Sequence, residues 1–318
     1  MTGGELLVAA LLDVLLGDPH WLPHPVRVMG HGIAWFDQGI RRICRSAISL
    51  RFAGVCLAIG LPIVTFTITS VIIGEAERFA GWLGSVLSIV LASMTLAARD
   101  LWDHVRIVDG PLQAGELPAA RRAVAMIVGR DTAGLSESEV ARATVETVAE
   151  SLADGIIAPL MYLAIGGAPL ALAYKAINTL DSMIGHRDER HVDFGWASAR
   201  LDDVANWIPA RIAALLLIGG AGLMTQQLRP IRHGWRVFRR DGGKHPSPNS
   251  GRPEAAMAGI LGVRLGGTNF YDGVRHDRPV LGPEGREPEP SDLASATQVM
   301  AIATGLGVFL AVGIRWLL

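Results

Sequence analysis

The sequence is poor in charge, poor in cysteine and balanced in sign. Its 318 residues hold 29 Lys+Arg against 30 Asp+Glu, a formal net charge of −1, and only 19% of the chain is charged, below the roughly 25% of an ordinary soluble domain. Without a basic excess, a nucleic-acid binder held by net positive charge is excluded, and the apolar content excludes a disordered chain. Two cysteines, Cys44 and Cys56, cannot build a disulfide scaffold or a Cys-rich zinc site. The familiar nucleotide and hydrolase motifs are missing. Gly243-Lys244 is followed by His245 instead of Ser or Thr, and Phe238 stands where a Walker A glycine belongs; no G-x-G-x-x-G follows a strand, and neither H-E-x-x-H nor G-x-S-x-G occurs.

What the chain does have is apolar sequence in long blocks. Half of it is hydrophobic, with a mean hydropathy of +0.34. Phe52–Gly74 runs 23 residues without a charge, Phe79–Ala98 20, Gly155–Tyr174 20, Ile212–Leu228 17 and Leu293–Ile314 22. A helix needs about 20 apolar residues to cross a hydrocarbon core about 30 Å thick, and in lipid only a helix satisfies its own backbone. One such run fits a buried soluble helix. Five in 318 residues predict an all-α, multi-pass integral membrane protein, a single membrane domain over 1–318. Leu6–Leu16 is shorter, contains Asp13, and has neither a basic n-region nor a cleavage site; it is expected to be a half-span or interfacial helix and not a secretory signal.

Basic residues set the orientation. Arg41, Arg42, Arg45 and Arg51 precede the first run and only Glu75–Arg78 separates it from the second, so the two form a hairpin with cytoplasmic ends. Arg229, Arg232, Arg236, Arg239, Arg240 and Lys244 mark another cytoplasmic segment. Gly166-Gly167-Ala168-Pro169 breaks the third run near its middle, as in a discontinuous helix buried among others.

The polar residues gather in four segments, 18–51, 99–154, 175–211 and 229–292, which are expected to form a site at the membrane surface. In "GDPHWLPHPVRVMG" (Gly17–Gly30) three prolines predict a rigid extended loop that keeps His20 and His24 from stacking as metal ligands and presents Asp18, His24 and Arg27 to a polar ligand. Segment 100–142 reads as amphipathic helices with a turn near Gly129–Glu139, and Ser136 with Glu139 matches a capping box. In "ETVAESLADG", Glu146 and Glu150 share a helix face ahead of Asp154; solvated surface acids and a Mg²⁺ site are equally good readings. The stretch Tyr174–Arg211 is the densest, packing Lys175, Asn178, Asp181, Arg187, Arg190, Asp193, Arg200, Asp202, Asp203, Asn206 and Arg211 among Phe194, Trp196 and Trp207. Asp202 and Asn206 share a helix face and Asp203 is placed to pair with Arg200. A structural salt-bridge network is the plain alternative to a binding site here. "KHPSPNSGRPEAAMAG" feeds a helix with Pro253 in its first turn, an anion-binding start near Lys244, His245 and Arg252. "LGGTNFYDG" is expected to be a tight loop presenting Asn269 and Tyr271, and the Pro- and Glu-rich 283–292 a mobile connector.

These blocks, in this order and over essentially the whole chain, closely resemble the CobD/CbiB family of membrane proteins, the adenosylcobinamide-phosphate synthases of cobalamin biosynthesis. The resemblance implies an amide-forming ligase that joins a corrinoid propionate carboxylate (adenosylcobyric acid) to aminopropanol or its phosphate ester in the cell's inner membrane, with the site on the cytoplasmic side. Because that reaction is uphill from a free carboxylate, ATP and Mg²⁺ are expected. On this reading Glu146, Glu150, Asp154, Asp202 and Asp203, with Asp181, supply a metal site; Lys175, Arg190, Arg200, Arg211, Lys244 and Arg252 hold phosphates; Asp193 or His245 accepts a proton; and Asn178, Asn206, Asn249, Ser250 and Asn269 meet the polar rim of the corrinoid. A homo-oligomer or contact with other enzymes of the pathway is compatible, and no nucleic acid is expected. A transporter, or a non-catalytic sensor like the β-lactamase-linked relatives of the family, are the rival classes. The charge-free runs, with polar groups kept to the connecting segments, favour surface chemistry over transport.

Overall fold

A computed structural model describes residues 1–18, 23–186, 188 and 190–317; His20 and Arg187 lie outside them. The chain is 74% helical. In order, the helices are α1 (Gly3–Leu16), α2 (Pro25–Ile43), α3 (Ala47–Phe79), α4 (Gly81–Ser93), α5 (Ala98–Gln113), α6 (Leu117–Val124), α7 (Glu137–Leu152), α8 (Ala158–Ile184), α9 (Trp196–Ala205), α10 (Trp207–Thr225), α11 (Leu228–Asp241), α12 (Gly251–Leu261) and α13 (Asp292–Leu317). One antiparallel hairpin, β1 (Leu265–Tyr271) with β2 (Val274–Leu281), precedes α13.

Among the described residues, five helical stretches are long and apolar enough to cross a membrane: Ala47–Phe79, Gly81–Gln113, Glu137–Ile184, Trp207–Thr225 and Asp292–Leu317. In α3, Ile59, Ile63, Val64, Ile68, Val71 and Ile72 are all about half exposed. A continuous outward apolar surface of that kind is stable against lipid and costly against water, so the protein is a multi-pass membrane protein. Two of the expected runs are not single straight helices. Run 79–98 is interrupted after Ser93, where the hydroxyls of Ser93 and Thr95 donate back to the Val90 and Ala92 carbonyls (2.8 and 2.7 Å) and close α4 before α5 starts. Run 155–174 begins with a π-helical turn, Ala153–Ile157, and α8 is kinked at Gly167 (φ 64°, ψ −162°). That positive φ suits glycine, and Pro169 just beyond has no N–H to give; the break expected from Gly166–Pro169 is present.

The chain divides into two compact units. The first comprises 1–97, 158–206 and 308–318. Its core joins Ile33, Ala53, Leu180, Ile184 and Phe194, and buried Asp37 accepts from Arg41 and from Arg190, each at 2.6 Å. The extended loop expected as far as Gly30 ends earlier: α2 starts at Pro25, whose missing N–H costs nothing in a first turn, and His24 Nδ1 accepts from the Val26 N–H at 3.3 Å.

The second unit comprises 98–157 and 207–307. α7 starts with the expected capping box, Ser136 with Glu139. α11 and α12 touch through Gly234 and Gly259: a Cβ on Gly259 would meet Gly234 Cα at 2.7 Å and the His233 carbonyl oxygen at 2.8 Å, so Gly259 does not accept a side chain. Two expectations are corrected in this unit. "LGGTNFYDG" is no loop but strand β1 and its turn, with Asp272 (φ 50°) and Gly273 (φ 75°) both in the left-handed region that a tight two-residue hairpin requires. Segment 283–292 is tied down: Arg286 donates to Asp292 twice (2.7 and 2.8 Å), and Gln113 donates to the Pro290 carbonyl at 3.0 Å.

Candidate active site

Within the second unit, α7, the turn Ile127–Arg130, the first turn of α12 and the hairpin line a half-open cavity of about 280 Å³. Its charged lining is Glu146, Glu150, Asp154, Glu254, Arg130 and Arg278, with the Tyr271 phenol beside them. Helical spacing puts Glu146 and Glu150 on one face of α7, and Pro253 at the start of α12 sets the turn that delivers Glu254. β1 and β2 add Tyr271 and Arg278, whose side chains are joined by a guanidinium-to-phenol hydrogen bond of 2.7 Å.

The four carboxyl groups are not equivalent. Glu146 is fully engaged: Arg130 Nη1 lies 3.0 Å from one oxygen and the Gly266 N–H donates to the other at 2.8 Å. Arg130 and Arg142 both donate to Asn269 Oδ1, so Asn269 is a buried strut between α7 and the hairpin. Glu150 accepts from the Ser250 hydroxyl at 2.8 Å. Glu254 is 3% exposed; its backbone N–H donates to the Ser250 carbonyl at 3.4 Å, and its carboxyl makes no hydrogen bond among the described residues. Burial, reinforced by the like charges of Glu146 and Glu150, pushes its carboxyl well above the ordinary range, against the pull of Arg278 and Arg130. A carboxyl kept ready to exchange a proton, flanked by two guanidinium groups, suits a ligand that carries both an ammonium and an anion.

His245 lies against this wall. Its Nδ1 accepts from the Ser247 N–H at 3.0 Å, and its Nε2 lies 3.4 Å from Arg278 Nη1. Burial, then Arg278, lower its basicity.

The first unit holds a second polar cluster. Asn206 donates to Asp202 at 2.9 Å and accepts from the Tyr174 hydroxyl at 2.8 Å, and Tyr174 stacks on Tyr162 with centroids 4.8 Å apart. Asn178 also bonds Asp202, and Asp181 is its electrostatic neighbour. Burial and then the Asp181 charge push Asp202 up to about 7, against the two asparagine hydrogen bonds. A carboxyl raised in the folded state contributes stability that is present at low pH and lost as pH rises through the folded value. Wild-type protein in detergent should thus lose thermal stability as pH rises through about 7, whereas Asp202→Asn should show a flatter profile. Parallel melting curves for the two proteins across that range would refute the assignment.

Other expected residues are placed elsewhere. Arg200 is 60% exposed and pairs with Asp203 at 3.3 Å, as its spacing predicted. Arg190 is spent on Asp37, a structural duty. Arg211 donates to the Trp207 carbonyl and lies over the Trp207 ring, 3.8 Å from its centroid. His24 Nε2 is 3.2 Å from Asp18, Arg27 is exposed, Asn249 is buried, and Lys175 and Asp193 are half-buried. Arg252 has no carboxylate partner among the described residues, and Lys244 is bound to buried Asp241 at 2.6 Å. The five carboxylates expected to share a metal ion do not form one cluster. Asp202 and Asp203 are not in the cavity lining, Glu146 is occupied by Arg130, and among the described residues no group of three or more His, Cys, Asp or Glu side chains is arranged to hold a metal.

Fold and site together define a multi-pass helical membrane protein with a half-open cavity lined by acidic and basic side chains. The chain matches the CobD/Cbib protein family over residues 6–300 and belongs to that family. A cobalamin biosynthesis protein CobD of Geobacter metallireducens is 50% identical over 88% of this chain and 86% of its own. The CobD of Klebsiella pneumoniae is 44% identical over 97% and 96%, and the CbiB of Salmonella typhimurium 41% over the same shares. No solved structure matches. The protein is accordingly one of cobalamin biosynthesis.

Proposed function

We propose that the protein forms the amide bond between adenosylcobyric acid and aminopropanol or its phosphate ester, as an enzyme of the inner membrane with its cavity on the cytoplasmic side. The observation that carries this reading is the unbonded, buried Glu254 carboxyl beside Arg130 and Arg278 in one cavity. At about 280 Å³ the space is at the small end of ligand pockets; it suits an aminoalkyl phosphate, and the macrocycle stays outside. An alkylammonium is no nucleophile until it loses a proton. Glu254 and Glu150 hold the ammonium, ionised Glu254 takes the proton, and the free amine then attacks the activated carboxyl carbon, forming the C–N bond as the activating group leaves with the electron pair of the broken C–O bond. Arg278, with the Tyr271 hydroxyl it bonds, holds the phosphate.

Activation of the carboxylate needs an energy source, and ATP with Mg²⁺ is the one the family resemblance implies. The donor groups described above do not make a protein-only metal cage, so no step here is routed through the ion. Membranes containing the protein, supplied with adenosylcobyric acid, ATP, Mg²⁺ and either amine, test the reading. Arg278→Met should raise KM for the phosphorylated amine by about 30- to 100-fold, the worth of a charge-assisted contact, and barely alter the unphosphorylated one. An equal rise for both would remove Arg278 from phosphate recognition, and no product from the wild-type protein would remove the reaction itself.

A further inference from the structure

α11 carries a face that this chemistry leaves unused. The helix starts three residues after Thr225, the end of the apolar span α10, and packs back against it. A Cβ on Gly222 would lie 2.6 Å from Ile231 Cδ1, and one on Gly234 3.3 Å from Ile218 Cγ1. The inner face of α11 buries Gly234, Val237, Phe238 and Asp241. At about 100° per residue, the opposite arc spans about a third of the circumference. It presents Leu228, Arg229, Arg232, Trp235, Arg236 and Arg239, all exposed. None of these four arginines has a carboxylate partner among the described residues, whereas Arg240, off the stripe, is bound to Asp241 and Glu284. Arg239 lies 5.9 Å from the Trp235 ring centroid. α10 turns outward an apolar strip of its own, Ile208, Leu215 and Leu223, each about half exposed.

A helix face meeting only water normally mixes acids with its bases, because a row of like charges repels itself. Here the row is uniformly cationic, interleaved with Trp and Leu, and continuous with a helix that turns apolar side chains outward. Tryptophan and arginine together are the side chains that settle at a bilayer surface, the ring among the headgroups and the guanidinium on the phosphates. We propose that the α11 stripe docks into the headgroup layer of an anionic bilayer, at the level where α10 leaves the hydrocarbon, with lipid phosphates as its ligands. The apolar strip and exposed Trp235 favour this occupant over a soluble anion or an acidic protein, which would match the charge and leave the ring and Leu228 in water.

The test uses the full chain in nanodiscs of phosphatidylcholine or phosphatidylglycerol, each brominated just below the headgroup. The emission of Trp235 is obtained as the difference between wild type and Trp235→Phe. Quenching of Trp235 should be at least about twofold stronger in phosphatidylglycerol, and should fall to the phosphatidylcholine level in R232E/R236E. The milder R232Q/R236Q should give an intermediate value, which guards against a misfolded charge-reversal variant. Equal quenching in both lipids would overturn the proposal, as would no quenching in either, the result for a stripe facing water or a protein. Loss of the lipid preference on adding inorganic phosphate alone would mean a free-anion site and overturn it too.

Discussion

Glu254→Gln should lower product formation by about 10²- to 10⁴-fold while making the protein more heat-stable at neutral and higher pH. Glutamine fills the same space and keeps a polar head, but it cannot take a proton from the ammonium. The stability gain follows from the direction of the shift. Burial beside Glu146 and Glu150 raises the Glu254 carboxyl in the folded state, so the folded protein keeps a proton that the unfolded chain has already released. Such a group contributes its stability at low pH, below the unfolded carboxylate value, and that contribution disappears as pH rises through the raised folded value. Wild type should therefore melt progressively lower with rising pH over that window, and Glu254→Gln should not; the gap between the two melting curves should widen with pH. Activity should rise with pH over the same window, because only the ionised carboxylate accepts a proton. An inactive variant with an unchanged pH profile of stability would show Glu254 to be solvated, and unchanged activity would remove it as the base.

The sequence made the membrane plan and several local devices legible because each is written in a few adjacent residues. The capping box Ser136-x-x-Glu139, the broken run at Gly166–Pro169 and the Asp202–Asn206 and Arg200–Asp203 pairs all depend on spacings of one to four residues. Pro23 and Pro25 forbid a helix interior but not a helix start, and α2 begins at the second of them. Gly266-Gly267 reads as a loop, while the turn signal of the hairpin lies further on, in Asp272-Gly273 between Tyr271 and Val274. Glu146, Glu150, Asp154 and Tyr271, legible as candidates from the sequence, line one cavity. Glu254, Arg130 and Arg278 line it too without any local mark. Glu254 is a lone acid among alanines in the first turn of a helix, where it would ordinarily serve the helix dipole. Its importance comes from side chains more than a hundred positions away on α7, and no local pattern encodes that approach.

The largest structural loss is expected from Glu146→Ala. Glu146 fastens the hairpin to α7: one oxygen lies 3.0 Å from Arg130, the other accepts from the buried Gly266 N–H at 2.8 Å. Arg142 then holds the Gly266 and Thr268 carbonyls and Asn269 Oδ1 from the same helix. Removing the carboxylate leaves a nearly buried Arg130 without its acid and an N–H without an acceptor, a loss of about 3–5 kcal/mol by comparison with broken buried ion pairs. Exposed pairs such as Arg200–Asp203 contribute about 0–1 kcal/mol, so Arg200→Ala is the natural control. Because the loss is local, it should show first as faster amide exchange across β1 and β2 in the intact protein, and then as a lower melting temperature. Glu146→Gln keeps the acceptor for Gly266 and should lose less. Adding Arg130→Met to Glu146→Ala removes the stranded cation and should recover part of the loss, as expected when the main penalty is an unpaired charge. Since Tyr271 and Arg278 ride on this hairpin, Glu146→Ala should also weaken binding of the amine, whereas Glu254→Gln should leave the hairpin's exchange rates as they are. If Glu146→Ala left both exchange and melting unchanged, the hairpin would owe its position to contacts other than this carboxylate.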